Sequence, residues 1–190
     1  MSSIWTDLPS PPKVQALQKR IGWLCHLGRL LAVAYAVWEL WLVVRFWLDS
    51  GKAGRRFAMV AGIEPVDVSG GARLAGFGLS FITWLIVAAC CLAAWKLFSS
   101  YLHGRIFTAD AAALLRLTAL LGIGAVLIDI VFRPLMVWLI AGVVPAYAKA
   151  SYYYFSPHDL ALLIFLVGLF AIAHIFKVAA ELADENAEIL

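Results

Sequence analysis

Apolar residues in this chain are gathered in four long stretches, with little of the three-to-four-residue alternation that a helix on a wet protein surface shows. The stretches cover about 21–48, 75–97, 113–141 and 158–176. They are greasy on every face, the pattern of helices with apolar material all round them. A bilayer core about 30 Å thick is crossed by roughly 20 helical residues. Backbone groups inside lipid find no water, so the chain there must satisfy its own hydrogen bonds as helix. The pattern predicts an all-α, polytopic membrane protein built as a four-transmembrane-helix bundle. A polar segment over 1–20 precedes it, a long extracytoplasmic loop follows the first span, and a short acidic helical tail ends it on the cytoplasmic side.

Composition agrees. Of 190 residues, 64% are hydrophobic, against roughly 45–50% in soluble domains, and the mean hydropathy is +0.90. A chain this short has no outer layer in which to bury four such helices. Pro9, Pro11 and Pro12 stand ahead of Lys13, Lys19 and Arg20 without a short apolar core and cleavage site. The first span is therefore expected to act as an uncleaved anchor. The net charge of +3 is spread over helix flanks, with no basic face interleaved with aromatics, which argues against direct nucleic-acid binding. Cys25, Cys90 and Cys91 lie inside apolar helices and lack metal or redox spacing; they read as small packing residues.

With the N-terminus inside, Lys13, Lys19, Arg20, Lys96, Arg105, Arg116 and Lys177 fall on cytoplasmic flanks. Lys52, Arg55, Arg56, Arg73 and Lys149 fall outside. The excess is modest and favours both termini in the cytoplasm. The Gly-rich connection from Asp49 to Arg73 reads as a surface excursion or partly ordered loop. Tyr152, Tyr153, Tyr154 and Phe155, and Trp38, Trp41 and Trp47, suit the aromatic belt of the outer interface. Gly76 with Ser80, and Gly122 with Gly124, offer close helix approach.

Glu39, Asp129 and Arg133 are the costly residues, since a charge at mid-membrane costs about 2.5–3.5 kcal/mol on insertion scales. Asp129 and Arg133 are four apart and share a helix face. Arg133 is expected to bridge Asp129 and Glu39, pinning the first span to the third. The alternative is a proton relay or polar-solute site, which Pro134 after Arg133 would suit by kinking the helix. Two imidazoles, His26 and His174, fall in the cytoplasmic half of the first and fourth spans. As neighbours they would suit a haem, although no second pair completes such a pattern. No cofactor and no metal are expected.

Between the second and third spans runs Leu102-His103-Gly104-Arg105-Ile106-Phe107-Thr108-Ala109-Asp110. Gly104 suits a helix end, Thr108 an N-cap and Asp110 a first turn. Arg116 places the start of the third span outside lipid. After Lys177 the tail carries Glu181, Leu182, Asp184, Glu185 and Asn186, on the side of Arg105 and Arg116. These residues are expected to form a charge-paired surface.

Two short motifs here, Gly104, Ile106, Phe107, Thr108, Asp110, Leu115 and Arg116, then Leu182, Glu185 and Asn186, resemble those of an uncharacterised bacterial membrane family, domain of unknown function 2975. The likeness covers most of the chain, and it departs at Ala111, where the family often has Asn. It implies a four-helix inner-membrane protein without established activity. Some members look like partners of small DNA-binding regulators, which would make the loop and tail a docking face. The leading expectation is thus a non-enzymatic regulatory or partner-binding protein. The alternative is a small transporter or ion-coupled sensor using Glu39, Asp129 and Arg133. Partners beyond lipid would be a cytoplasmic protein and a second copy of the chain. No nucleophile constellation or phosphate loop is present.

Overall fold

A computed structural model describes the backbone of residues 12–61, 64, 67–106, 108–141 and 155–188. Within these, side chains are described except at 12–20, 50, 61, 141 and 183–188. The described residues form five helices: α1 (Pro12–Leu48), α2 (Ser50–Ala61), α3 (Gly70–Leu102), α4 (Ala109–Ala141) and α5 (Pro157–Glu188). Four of them, α1, α3, α4 and α5, are long and apolar enough to cross a membrane. The chain is a multi-pass membrane protein of all-α class.

Each spanning helix outruns the apolar stretch that predicted it. α1 begins at Pro12, where a missing N–H costs nothing and φ is preset for helix. Nothing between Lys13 and Arg20 breaks it, so residues 12–20 of the expected polar segment are a helical extension. α5 continues to Glu188, carrying the acidic tail as helix. Lipid sets the length of an apolar stretch, whereas caps set the length of a helix.

Those caps are local and legible. Ser69 Oγ accepts from the Ala72 N–H at 3.2 Å to open α3. Thr108 Oγ1 accepts from the Ala111 N–H at 3.2 Å to open α4, as its sequence position suggested. α3 closes on Gly104, whose φ of 78° is left-handed. The Arg105 N–H returns to the Ser100 carbonyl and the Gly104 N–H to that of Tyr101, the paired bonds of a Schellman ending.

The connection after α1 departs from the expected loop. A single non-helical residue, Asp49, separates α1 from α2. Its carboxylate accepts from the Lys52 N–H at 3.2 Å and pairs with Lys52 Nζ at 3.0 Å. The Lys52 hydrogen bond holds that carboxyl below the usual carboxylate range. α2 is amphipathic: Ala53, Phe57 and Ala58 are buried, while Lys52, Arg55, Arg56 and Met59 are exposed. Its apolar side joins Trp47 of α1 and Met136, Val137 and Ile140 of α4 in one core. Ala53, Phe57 and Val60 fall at i, i+4 and i+7, so these twelve residues carry an amphipathic spacing that their glycines and charges mask as loop composition.

The spanning helices pack in chain order, α1 on α3, α3 on α4 and α4 on α5. Indole groups fasten the first pair. Trp47 lies over Gly76 and donates Nε1–H to Ser80 Oγ at 3.0 Å. Trp84 donates Nε1–H to the Ala36 carbonyl at 2.9 Å. Arg73 donates to the Trp47 and Leu48 carbonyls at 2.9 and 3.3 Å, capping α1 from α3. The small pair Gly76 and Ser80 is thus a notch for a tryptophan. Trp47, expected in the interfacial belt, is buried, whereas Trp38 and Trp41 are exposed and lie 5.2 Å apart. Gly122 receives Leu166 of α5. Arg29 lies over the Trp95 ring at 4.0 Å. The aromatic run 152–154 is outside the described residues.

Candidate functional site: a charged cavity between the spanning helices

On α4, Asp129 and Arg133 are one turn apart, and Arg133 Nε donates to Asp129 Oδ2 at 2.9 Å. α5 opens with Ser156-Pro157-His158-Asp159, a reciprocal cap. The Asp159 N–H donates to Ser156 Oγ at 3.3 Å, while Asp159 Oδ2 accepts from the Ser156 N–H at 2.8 Å and from its hydroxyl at 3.0 Å. Arg133 adds two more bonds to the same carboxylate, Nη1 to Oδ2 at 2.7 Å and Nη2 to Oδ1 at 2.9 Å. Planar guanidinium and carboxylate match in this forked geometry. Asp159 is only 4% exposed, so it is both the cap of α5 and the buried half of an interhelical ion pair.

This arrangement corrects the expected bridge to Glu39. Arg133 joins Asp129 and Asp159 and ties α4 to α5, because α4 sits between α3 and α5 while α1 packs chiefly on α3. The missed partner carried a signal. Ser-Pro-x-Asp is a helix start, and its Asp lies at the depth of Arg133 in an antiparallel neighbour.

Glu39 instead faces open space. A cavity of about 250 Å³ is lined by Glu39, Thr83, Trp84, Asp129 and Arg133, with Arg56 of α2 also at its wall. A second, of about 470 Å³, shares Glu39, Thr83, Asp129 and Arg133 and adds Tyr35, His158 and Asp159. Its far end is apolar, with Ala32, Ala94, Ala125, Val126 and Leu166. All four spanning helices contribute to it, yet α1 and α5 are not among the well-packed helix pairs. Among the described residues no hydrogen bond or ion pair engages the Glu39 carboxylate. Two of the three acids in this space are tied to Arg133, and the third stands across from them.

At the other end of the bundle the loop motif is largely structural. Gly104 turns the chain, Thr108 caps α4, and Ile106 is buried. Ala111 and Leu115 pack with Leu97 and Ala173 in a second core, with Ala111 almost fully buried. Asp110, Arg116 and Leu182 are exposed. Glu181 pairs along its own helix with Lys177 at 3.4 Å rather than with the loop arginines. Phe107 and the side chains of Asp184, Glu185 and Asn186 lie outside the described residues.

The haem alternative loses its geometric basis. His26 and His174 are both exposed, on α1 and α5, which do not form a packed pair. Among the described residues no group of three or more His, Cys, Asp or Glu side chains is placed to hold a metal ion. No family model, curated protein or solved structure matches the chain.

Proposed function

We propose that this is an ion-responsive protein of a bacterial inner membrane, both termini in the cytoplasm, whose charged cavity takes up a small cation, the proton included. The observation that carries this reading is Glu39. A carboxylate within a span is costly, about 2.5–3.5 kcal/mol at the centre, and this one has no donor among the described residues while facing a cavity. A proton or cation would complete it. Asp129 and Arg133 line the same space and would hold its charge balance. The Lys and Arg flanks support the orientation, which puts the cavity toward the outer half and the loop and tail motifs inside.

The output of such a sensor would be a non-enzymatic one: a protein bound by the exposed residues around Asp110, Arg116 and Leu182. The resemblance to domain of unknown function 2975 supports this, a small regulator being the kind of partner it implies. Simple transport through the same cavity is the alternative.

Infrared difference spectra recorded as pH or monovalent cation is stepped should show a carboxyl band that Glu39→Gln removes, with both proteins eluting alike in detergent. A band that persists in the variant excludes Glu39 as the binding group. Cation flux into vesicles that depends on Glu39 would select transport over sensing. For the output, cross-linking from membranes should capture a partner that is lost on substituting Phe107 and Glu185; retention after both changes removes them from the interface.

A further inference from the structure

The corner where α1 meets α2 has a composition that the cavity reading does not use. α1 ends at Leu48 and α2 starts two residues later, so α2 lies where a spanning helix leaves the lipid. Its buried side faces the bundle, and its basic side is exposed. An open hollow of about 740 Å³ lies at this corner, lined by Trp41, Val44, Arg45, Leu48, Asp49 and Lys52. The α1 side chains in it, Trp41, Val44 and Leu48, are apolar, and Trp41 and Leu48 are 45% and 75% exposed. The charged side chains stand on the α2 side of the hollow or on the last turn of α1.

Positive charge dominates there. Arg45 lies over the Trp41 ring at 4.8 Å, a contact that orients the guanidinium and leaves its N–H groups available. Lys52 and Arg55 follow on α2. The single acid, Asp49, is engaged by the Lys52 ammonium and the Lys52 backbone N–H. Apolar wall toward the lipid and cations toward the headgroups is the polarity of a phospholipid. Basic residues at such a position attract anionic lipid, and a guanidinium matches a phosphodiester with two parallel hydrogen bonds.

We infer that the α1–α2 corner is a binding site for an anionic phospholipid, its phosphate held between Arg45 and Lys52 and an acyl chain lying along Trp41 and Leu48. Zwitterionic lipid fits less well, because its ammonium would meet Arg45, Lys52 and Arg55. The site lies outside the cavity and is independent of any cation within it.

The full chain, purified in detergent and passed into nanodiscs, allows a direct trial. With phosphatidylglycerol present, native mass spectrometry should show retained lipid on the parent protein. The Arg45→Ala, Lys52→Ala double variant should retain roughly thirtyfold less, the scale expected for two basic side chains at a membrane surface. Its thermal midpoint in phosphatidylcholine should equal that of the parent, showing that the fold is intact. Arg116→Ala, at the opposite end, should retain lipid normally. Equal retention of phosphatidylcholine, equal loss in Arg116→Ala, or undiminished retention by the double variant would each overturn the assignment. Stabilisation by inorganic phosphate alone, with no dependence on lipid class, would also overturn it, since the site would then be a phosphate site.

Discussion

Arg133→Ala is expected to destabilise the protein by about 3–5 kcal/mol, the scale for stripping a buried ion pair of one member. Two carboxylates would lose their shared cation at once. One of them, Asp159, is buried and cannot turn to water without undoing the start of α5. Thermal unfolding in detergent and abundance in membranes should both fall sharply. Neutralising the acids as well, with Asp129→Asn and Asp159→Asn added to Arg133→Met, should restore most of the loss, because buried ion pairs return little beyond their desolvation cost. A triple variant as unstable as the single one would show that Arg133 has a role other than neutralisation. Glu39→Gln, by contrast, removes no bond found among the described residues and should leave the unfolding free energy within about 0.5 kcal/mol of the parent, as for a change away from packed features.

The second large effect is expected at Gly76. A methyl group there would overlap the six-membered ring of Trp47. That ring is boxed in by Phe57 and Phe46 and tethered to Ser80, so it cannot move aside freely. Overpacking of this kind costs about 1–3 kcal/mol, so Gly76→Ala should lower the thermal midpoint clearly. Trp47→Phe alone loses the Ser80 bond. Combined with Gly76→Ala it should cost less than the sum of the two, since the smaller ring gives the methyl room. Strict additivity in that double-mutant cycle would mean that the two residues do not meet.

Much of this molecule is visible in its amino acids, and the parts that are not share a cause. Lipid imposes a one-dimensional rule, so helix number follows from apolar length alone. Gly104 and Thr108 announce their turns because caps depend on neighbours three or four residues away. Asp129 and Arg133 declare themselves by the same short spacing. The partner at Asp159, the notch at Gly76 and the cavity in front of Glu39 depend instead on which helices are adjacent in space. Hydropathy does not encode adjacency, since greasy faces match one another equally well. α2 is hidden for another reason: its apolar spacing, Ala53, Phe57 and Val60, runs over only twelve residues and is interrupted by Gly51, Gly54 and three basic side chains, a composition that reads as loop.

Because every spanning helix leans mainly on the one before it, assembly needs no distant closure. A newly inserted segment finds its neighbour already in the bilayer, and contacts between sequence-near elements form quickly. The last segment is the exception in consequence, if not in order. Until α5 arrives, Arg133 lacks its forked pair to Asp159, so arrival of that residue marks completion. A chain stopped short of that point would lack the forked Arg133–Asp159 pair that joins α4 to α5, a defect that membrane quality control can recognise.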